Sequence, residues 1–486
     1  METSPDAQPV LDAGERARRG ARAAELAADL ERSDVIAVAL TWVDVSGITR
    51  TKTVPVTRLG HAASWGVGMS PVFDVFLLDD SIVSGRYVGG PTGDLRLHPD
   101  LDRLVPLAAL PGWAWAPADR FTQEGTEHRV DARAALRREV ARLADQGCSV
   151  RAAFEIEWAV SDGDDGEGDG GGKDGSDWED FTPACNGPAY GMTRISELSG
   201  YLRDLLKALA ATGVSVEQLH PEYAEGQLEL SVAAEDPIGA ADTAVLVRET
   251  IRAVSFEHGL AASFSPKVLA GSVGNGCHVH LSLWREDEAE GPVNMMSGGE
   301  GPYGMSAAGE AFTAGILDHL PALLAVGAPS VASYLRLIPS HWAGAFACWG
   351  LENREAALRF VTGALGERAA AANLEVKCFD ASANPYLALA GLLAAGRAGI
   401  AGEATLPAPV DVDPAMLDAK ERADLGISEL PSSLAESVAA FEDDTVLPAA
   451  FGEALSDTIA TVRRGEIALF EDASPEEIAA TTRWRH

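Results

Sequence analysis

Two histidines that stand two residues apart in an apolar segment are the residues of this chain best placed to do chemistry together. They are His278 and His280, in the run Gly274-Asn275-Gly276-Cys277-His278-Val279-His280-Leu281-Ser282. Side chains alternate between the two faces of a β-strand, so both imidazoles share one face while Val279 lies on the other. The glycines before the strand let the backbone or a ligand come close to it. Alone, the pair fits a structural role as well as a catalytic one.

Glutamates in three further apolar segments supply the acidic groups that this pair lacks. They are Glu155 and Glu157, Glu222 and Glu229, and Glu375. The first two share a strand face, and Gly226 between the second two allows a bend that turns both inward. Each segment alone also fits a solvent-exposed charged face. Hard cations such as Mg²⁺ and Mn²⁺ take carboxylate oxygens with few imidazoles, whereas zinc favours histidine or thiolate. The whole set therefore predicts a two-metal site for phosphoryl transfer from ATP.

Three arginines offer positive charge for an anionic substrate. Arg336 lies within the apolar run Ser333-Tyr334-Leu335-Arg336-Leu337, where a cation needs an anionic partner. Arg354 and Arg359 lie in a segment that we predict to be helical, and in isolation they fit a helix surface. The sequence has no Walker A loop and no Gly-x-Gly-x-x-Gly motif after a strand. The prediction of ATP use therefore depends on the metal ligands.

The charge balance excludes two classes of partner. Among 486 residues, 38 are basic and 73 acidic, a formal charge of −35, which repels nucleic acid and anionic membranes. The apolar runs are too short for a membrane span, and no signal peptide is evident. Five widely separated cysteines without a Cys-x-x-Cys motif fit reduced thiols. We expect a cytoplasmic protein whose substrates are small molecules.

The order of predicted elements indicates an α+β chain. A polar and then helical N-terminal segment, 1–30, precedes a small β-rich domain, 31–120, which ends at a break near 118–120. The predicted strands of that domain cover 35–43, 51–56, 94–97 and 105–115. The larger domain, 121–486, alternates strands with alanine-rich helices.

Two Gly-rich and acidic segments interrupt the larger domain. It opens with a helix over 131–146, with Asp131 as the N-cap and Gly147 as the stop. Residues 161–177 are nearly all Gly, Asp and Glu, so we expect a mobile surface insertion there. Residues 285–309 are interpreted as a second insertion after the histidine strand.

In their order and spacing, these motifs resemble those of type I members of the glutamine synthetase superfamily from about residue 30 to the C-terminus. The matching motifs are Glu-x-Glu at 155–157, Gly-Gln-x-Glu at 226–229, the glycine and histidine strand at 274–282, the arginine pair, and Asn384-Pro385-Tyr386-Leu387. The resemblance implies a β-grasp N-terminal domain and a catalytic domain with a curved antiparallel sheet and flanking helices. It also implies a dodecamer of two hexameric rings, ATP, and two or three Mg²⁺ or Mn²⁺ ions in each active site.

The resemblance also implies a role for individual residues. The implied ligands of the first metal are Glu157, Glu222 and Glu229, and those of the second are Glu155, His278 and Glu375. The implied nucleotide contacts are Glu217, His280 and Ser282. The implied glutamate contacts are Gly274 and Arg336, and Arg354 and Arg359 would stabilise the transferred phosphoryl group. Asp44 would reach a neighbouring subunit's active site and help to hold the ammonium ion.

The sequence departs from the family pattern at three places. Ammonia-using members have a glutamate in the turn that here reads Pro339-Ser340-His341-Trp342-Ala343-Gly344. Asn373 and Lys377 stand where arginines usually flank Glu375, and Lys377 is interpreted as substrate-binding. No tyrosine follows Tyr386, so we expect no control by adenylylation.

Trp342 points to an amine larger than ammonia. An indole N–H only donates and cannot act as a base, but the ring can line a pocket for an alkyl chain or attract an ammonium group. The surrounding pattern resembles the branch of γ-glutamyl-amine ligases that act on polyamines, ethanolamine and other amines. We therefore predict an ATP-dependent ligase that joins glutamate to a primary amine. The alternatives are an ammonia-using glutamine synthetase, a catalytically silent member, and a core Trp342 with the catalytic glutamate supplied from elsewhere.

Overall fold

Two β-sheets organise the part of the chain that the structure, a computed structural model, describes, namely residues 11–162, 181–287 and 291–486. The strands are β1 (Ala37–Val43), β2 (Thr49–Pro55), β3 (Val67–Met69), β4 (Leu95–Pro99), β5 (Val105–Pro106), β6 (Trp113–Phe121), β7 (Cys148–Asp162), β8 (Val216–Pro221), β9 (Gln227–Val232), β10 (Leu260–Ser263), β11 (Cys277–Asp287), β12 (Gly291–Asn294), β13 (Phe346–Leu351), β14 (Ala356–Val361), β15 (Asn373–Val376) and β16 (Ser428–Glu429).

Helices accompany both sheets, which confirms the predicted α+β class. They are α1 (Ala13–Arg32), α2 (Leu59–Trp65), α3 (Ala132–Ala144), α4 (Met192–Glu197), α5 (Ser199–Ala211), α6 (Pro237–Glu257), α7 (Ala307–Gly327), α8 (Ser333–Arg336), α9 (Arg368–Ala371), α10 (Pro385–Ala401), α11 (Ala419–Asp424), α12 (Leu434–Asp443), α13 (Leu447–Phe451), α14 (Glu453–Leu469) and α15 (Pro475–Thr482). In the described segments, no helix has both the length and the apolar composition needed to cross a bilayer. All five cysteines are described, and each is a buried free thiol.

The first sheet has the order β2-β1-β6-β4-β3, with β5 paired to β6. Its apolar face packs with α1 and α2 into one buried cluster between residues 23 and 118. The second sheet has the order β16-β13-β14-β15-β11-β7-β9-β8, with β10 on β7 and β12 on β11. Helix α6 packs on β7, while α3 and α7 both pack against α10. The second sheet therefore has a face covered by helices, and its pairing decides which polar side chains meet on the other face.

The predicted first helix of the larger domain is confirmed as α3. The Asp131 carboxylate accepts a hydrogen bond from the Ala134 N–H at 2.6 Å, as an N-cap does. Gly147 has a φ of 73° and follows the helix as its stop. The first predicted hairpin is also present, with β1 and β2 joined through the turn at Ser46 and Gly47.

The break predicted near 118–120 is wrong, because β6 runs without interruption through these residues to Phe121. Asp119 and Arg120 suggested a solvated loop, yet both are buried in ion pairs. The Asp119 carboxylate lies 2.7 Å from Arg133, and the Arg120 Nε lies 2.9 Å from Asp131. Pairing offsets the cost of burying these charges and lets the strand continue. The domain boundary near residue 120 stays a prediction.

The two predicted insertions have different outcomes. In the first, Ser161 and Asp162 still belong to β7, and the remainder of 161–177 lies outside the described residues. The second insertion, at 285–309, stays a prediction, but much of that segment forms regular structure. There β11 continues to Asp287, β12 pairs back against it, and α7 begins at Ala307. Backbone pairing with an existing strand made this polar segment a hairpin despite its composition.

Candidate active site

Neighbouring strands of the second sheet bring the predicted acidic and imidazole groups onto one face. Glu155 on β7 stands opposite His278 on β11, and Glu157 stands opposite Glu229 on β9. His280 on β11 stands opposite Glu375 on β15. Residues directly opposite each other project from the same face, so these pairs form adjacent rows across β15, β11, β7 and β9. The apolar residues that alternate with them on β7, such as Ile156 and Trp158, are fully buried on the other face.

Glu155, His278 and Glu375 form the first cluster. The His278 Nδ1 lies 2.8 Å from Glu155 Oε1 and 3.3 Å from Glu375 Oε1. One ligand atom from each of the three residues falls within 4.8 Å of the others. The structure thus brings together the three residues predicted as ligands of the second metal. This donor set of two carboxylates and one imidazole fits a hard divalent cation.

The second cluster consists of His220, Glu222 and Glu229. The His220 Nε2 lies 2.9 Å from Glu229 Oε1, and its Nδ1 lies 3.5 Å from Glu222 Oε1. Gly226, with a φ of 74°, sits in the tight connection between β8 and β9. The bend predicted at Gly226 is therefore present, and both glutamates turn toward the same imidazole. The ligand atoms of all three residues lie within 4.8 Å of one another.

His220 was missed by the sequence reasoning. Its signal was present in the sequence, because His220 and Glu222 are spaced i, i+2 like His278 and His280. It stands directly opposite Glu229 in the β8–β9 pairing, a register that the sequence alone did not provide.

Glu157 lies between the two clusters rather than inside the second one. Its Oε2 accepts hydrogen bonds from the Gly276 N–H at 2.8 Å and from the Gln227 amide at 3.1 Å. Its Oε1 lies 3.8 Å from His278 Nε2. Of the three predicted first-metal ligands, the structure joins Glu222 and Glu229 directly and places Glu157 beside them.

The electrostatics of the two clusters differ. Burial, together with the charges of Glu155, Glu157 and Glu222, raises the pKa of Glu229 to about 8. Burial opposes ionisation of Glu375, but Lys377 and the two strand histidines outweigh it and lower its pKa to about 2. Burial likewise opposes the charge on Glu155, and hydrogen bonds from His278 and His280 hold its pKa well below the usual range. The carboxyl groups near the second cluster therefore oppose ionisation of Glu229, and a divalent cation there would favour its ionised form.

Buried cations adjoin the first cluster. Arg336 is only 5% exposed; its Nη2 donates to the Lys377 carbonyl at 3.0 Å and lies 3.3 Å from His278 Nε2. Its Nη1 has no hydrogen-bond partner among the described residues. Lys377 Nζ donates to Glu375 Oε1 at 3.1 Å. These positions leave a buried guanidinium N–H free for an anionic ligand.

The glycine loop before β11 closes over this arginine. A Cβ on Gly276 would lie 2.5 Å from His278 Nε2 and 2.8 Å from Arg336 Nη2. A Cβ on Gly274 would lie 2.6 Å from Arg336 Cγ. Only glycine allows this approach, so the structure places predicted substrate-binding Gly274 and Arg336 in contact.

The helix predicted for Arg354 and Arg359 is wrong. Arg359 lies on strand β14 directly opposite Glu375, and its Nη1 donates to Glu375 Oε2 at 2.9 Å. Arg354 is exposed in the connection from β13 to β14 and makes no hydrogen bond to any described residue. The structure thus brings Arg359 to the first cluster but does not bring Arg354 there.

Of the three residues predicted to contact the nucleotide, two lie on β11 and the third lies apart on β8. The His280 Nε2 lies 3.4 Å from Glu155, and its Nδ1 lies 2.9 Å from the Asn373 side-chain oxygen. Ser282 is buried two residues further along β11, where its hydroxyl accepts the Trp284 indole N–H at 2.8 Å. Glu217 is exposed at the irregular register of β8, apart from these two. A nucleotide role for the three stays a prediction.

The Asp44 side chain is buried within its own subunit and paired with Arg50. Its carboxylate is fully buried, accepts from Arg50 Nε at 2.7 Å and from the Ile48 N–H at 2.9 Å, and burial raises its pKa to about 6. No described contact joins it to either cluster. Its predicted reach into a neighbouring subunit is untested.

Trp342 is not a core residue, contrary to one of the alternatives. Its side chain is 55% exposed, and its backbone has a φ of 56°, a conformation that non-glycine residues rarely adopt. The Trp342 N–H donates to Glu355 Oε1 at 2.9 Å. The indole is therefore free to line a substrate pocket.

Comparisons with known proteins agree with this geometry. A sequence profile of the glutamine synthetase catalytic domain matches residues 129–480. The gamma-glutamylpolyamine synthetase GlnA3 of Streptomyces coelicolor is 54% identical over 96% of this chain and 97% of that protein. The glutamine synthetase of Pyrococcus abyssi is 31% identical over 88% of this chain and 89% of that protein.

Solved structures give the same result. The crystal structure of a novel glutamine synthase homolog has a TM-score of 0.79 at 33% identity and covers 93% of this chain and 99% of its own. The ADP complex of GmaS has a TM-score of 0.77 at 28% identity, covering 92% and 97%. These similarities extend well beyond the strands that hold the two clusters.

Proposed function

This chain belongs to the glutamine synthetase family, and from that premise we propose that it is an ATP-dependent γ-glutamyl-amine ligase whose amine is a polyamine or a similar primary amine. The γ-carboxylate of glutamate attacks the γ-phosphorus of ATP, the bond to the bridging oxygen breaks, and ADP leaves. The amine nitrogen then attacks the carbonyl carbon of γ-glutamyl phosphate, the carbon–oxygen bond breaks, and phosphate leaves with a γ-glutamylamide as the product.

We propose two or three Mg²⁺ or Mn²⁺ ions in each active site. Glu155, His278 and Glu375 would hold one ion, and Glu222 and Glu229, with His220 and Glu157 beside them, would hold another. Bound ions neutralise charge on the phosphates of ATP. The neighbouring residues have their own tasks: Arg336 binds a carboxylate of glutamate, and Arg359 and Lys377 place positive charge beside the reacting phosphate.

The observation that carries the choice of an alkylamine is the turn at 339–344. Its large exposed side chain is Trp342, at the position where the family resemblance implies a glutamate in ammonia-using members. A tryptophan here can bury methylene groups, worth about 0.8 kcal/mol each, and attract an ammonium group by about 0.5–2 kcal/mol. The 54% identity to a gamma-glutamylpolyamine synthetase supports the same choice.

A substrate panel tests this proposal. With saturating glutamate and ATP, we expect kcat/KM for spermine or putrescine to exceed that for ammonium by at least about tenfold, because ammonium has no methylene groups to bury against Trp342. ADP release measures the rate, and mass spectrometry identifies the γ-glutamylamide. Ethanolamine completes the panel, with all amines compared at equal free-base concentration.

Two outcomes would contradict the proposal. If ammonium gives the highest kcat/KM across the panel, the protein is an ammonia-using glutamine synthetase. If no amine produces ADP release, it is a catalytically silent member.

We also propose the assembly and domain division that the family resemblance implies. The chain would form a dodecamer of two hexameric rings, with domains at 31–120 and 121–486 after the N-terminal segment. In that assembly Asp44 would lie near a neighbour's active site after its pairing with Arg50 loosens. Light scattering on the purified protein tests the assembly, and a mass clearly below that of twelve chains would contradict it.

A further inference from the structure

Glu355 is a buried carboxylate with one oxygen that the protein leaves unpaired. The residue is 8% exposed, and its Oε1 accepts the Trp342 N–H at 2.9 Å. Its Oε2 is shielded from solvent and has no hydrogen-bond partner among the described residues. An unpaired buried acceptor costs about 1–3 kcal/mol, and more when it is charged. Such an oxygen is suited to a cationic ligand.

The turn at 339–344 fixes this carboxylate in place. A Cβ on Gly344 would lie 2.9 Å from Ala357 Cα and 3.1 Å from Lys377 Cβ, so the turn packs tightly on the start of β14 and on Lys377. Ser340 anchors the other side of the turn by donating to Asp413 at 2.7 Å. The backbone of Trp342 can therefore present its N–H to Glu355 while the indole stays exposed.

Strand geometry places Glu355 on the side of the sheet that holds the active site. Alternation along β14 puts Ala357 on the same face as Arg359, and Glu355 comes one residue before the strand with the same parity. The Lys377 N–H donates to the Ala357 carbonyl at 2.9 Å, and Lys377 Nζ reaches Glu375. Lys377 therefore connects the start of β14, next to Glu355, with Glu375 of the first cluster.

We propose that Glu355 is the catalytic carboxylate that binds the attacking amine as its ammonium ion and accepts a proton from it, replacing the glutamate absent from the 339–344 turn. This proposal rests on the proposed function and names the residue that prepares its second substrate. The ammonium group gives one proton to Glu355 Oε2, which frees the nitrogen electron pair. The nitrogen then bonds to the carbonyl carbon, the bond to phosphate oxygen breaks, and the second proton leaves with the phosphate.

The charges around Glu355 suit a proton acceptor. Burial and the nearby Asp413 raise the pKa of Glu355, while His341 and Lys377 act in the opposite direction. A base whose pKa lies above the usual carboxylate range takes a proton from an ammonium group more readily. Asp44, which the sequence suggested for this task, is already paired with Arg50.

The test compares Glu355→Gln with the wild-type protein on two nucleophiles. Glutamine keeps an oxygen that can accept the Trp342 N–H but cannot take a proton. With spermine or ammonium we expect kcat/KM to fall by about 10²–10⁴-fold, the usual contribution of a general base. With hydroxylamine, which is mostly uncharged near neutral pH, we expect a change of less than about threefold.

The pH profile gives a second readout. Below the pKa of the amine, the residual rate of E355Q with spermine should rise about tenfold per pH unit, because only the free base reacts. The wild-type rate should rise less steeply, since Glu355 supplies the deprotonation.

Ser340→Ala is the matched control, because it loosens the same turn without changing the carboxylate. We expect it to leave the ratio of spermine to hydroxylamine activity unchanged. The proposal is overturned if E355Q keeps its activity with both cationic amines, if it loses hydroxylamine activity equally, or if S340A shows the same selective loss. If the wild-type protein prefers ammonium to every alkylamine, the proposed function fails, and the comparison of ammonium with hydroxylamine still decides the role of Glu355.

Discussion

Glu155→Gln should lose ATP-dependent phosphoryl transfer by on the order of 10³-fold or more while the protein stays folded. Glu155 is the carboxylate that contacts both strand histidines, at 2.8 Å for His278 and 3.4 Å for His280. Glutamine has nearly the same volume but no charge, so the first cluster would lose one of its two carboxylates. The remaining imidazole and Glu375 would then hold a divalent cation weakly.

Two measurements check this result. ADP release with glutamate and an amine reports phosphoryl transfer, and titration with Mn²⁺ followed by electron paramagnetic resonance counts bound ions. Glu225→Gln is the matched control, because Glu225 is exposed in the turn between β8 and β9 and belongs to neither cluster. Near-full activity of Glu155→Gln, or an unchanged number of bound Mn²⁺ ions, would contradict the assignment.

The local parts of this site were predictable from the sequence. Alternation within a strand requires no knowledge of the partner strand, so the shared faces of Glu155 with Glu157 and of His278 with His280 followed directly from their spacing. The bend at Gly226 was similarly local, because its positive φ is a conformation that glycine adopts without cost. The three residues of the first cluster then met because β7, β11 and β15 are neighbours.

The predictions that failed concern segments whose structure depends on contacts with other parts of the chain. Residues 352–359 are rich in helix formers, which favoured a helix, but Arg359 pairs with Glu375 from another strand and the segment becomes β14. The segment at 118–120 is stabilised as a strand by Asp74, which is 46 residues from Arg120 in sequence, and by Arg133 on helix α3. The role we propose for Glu355 had no local signal, since its position in the sequence shows neither its burial nor its unpaired oxygen.

Arg336→Met should raise the KM for glutamate by about 10–10²-fold and leave the KM for ATP within about threefold of its wild-type value. The Arg336 guanidinium is 5% exposed and keeps Nη1 without a partner among the described residues. The Arg336 charge already opposes the effect of burial on the pKa of Asp380, so the group left for a carboxylate of glutamate is the unpaired Nη1 N–H. A charge-assisted hydrogen bond is worth about 1.5–3 kcal/mol, which corresponds to the expected change in KM.

The split between the two KM values separates a binding role from a structural one. Arg336 also donates to the Lys377 carbonyl at 3.0 Å, so a purely structural role predicts that its loss disturbs the site as a whole. A general disturbance would lower kcat and raise both KM values together. If only a carboxylate contact is lost, a high glutamate concentration compensates for it and kcat stays close to its wild-type value. Arg336→Lys should recover part of the affinity, because it keeps the charge but not the two-pronged geometry. Arg368→Met, at an exposed position on α9, should leave both constants unchanged. Equal increases in the two KM values for Arg336→Met would show that this arginine holds the site together rather than binding glutamate.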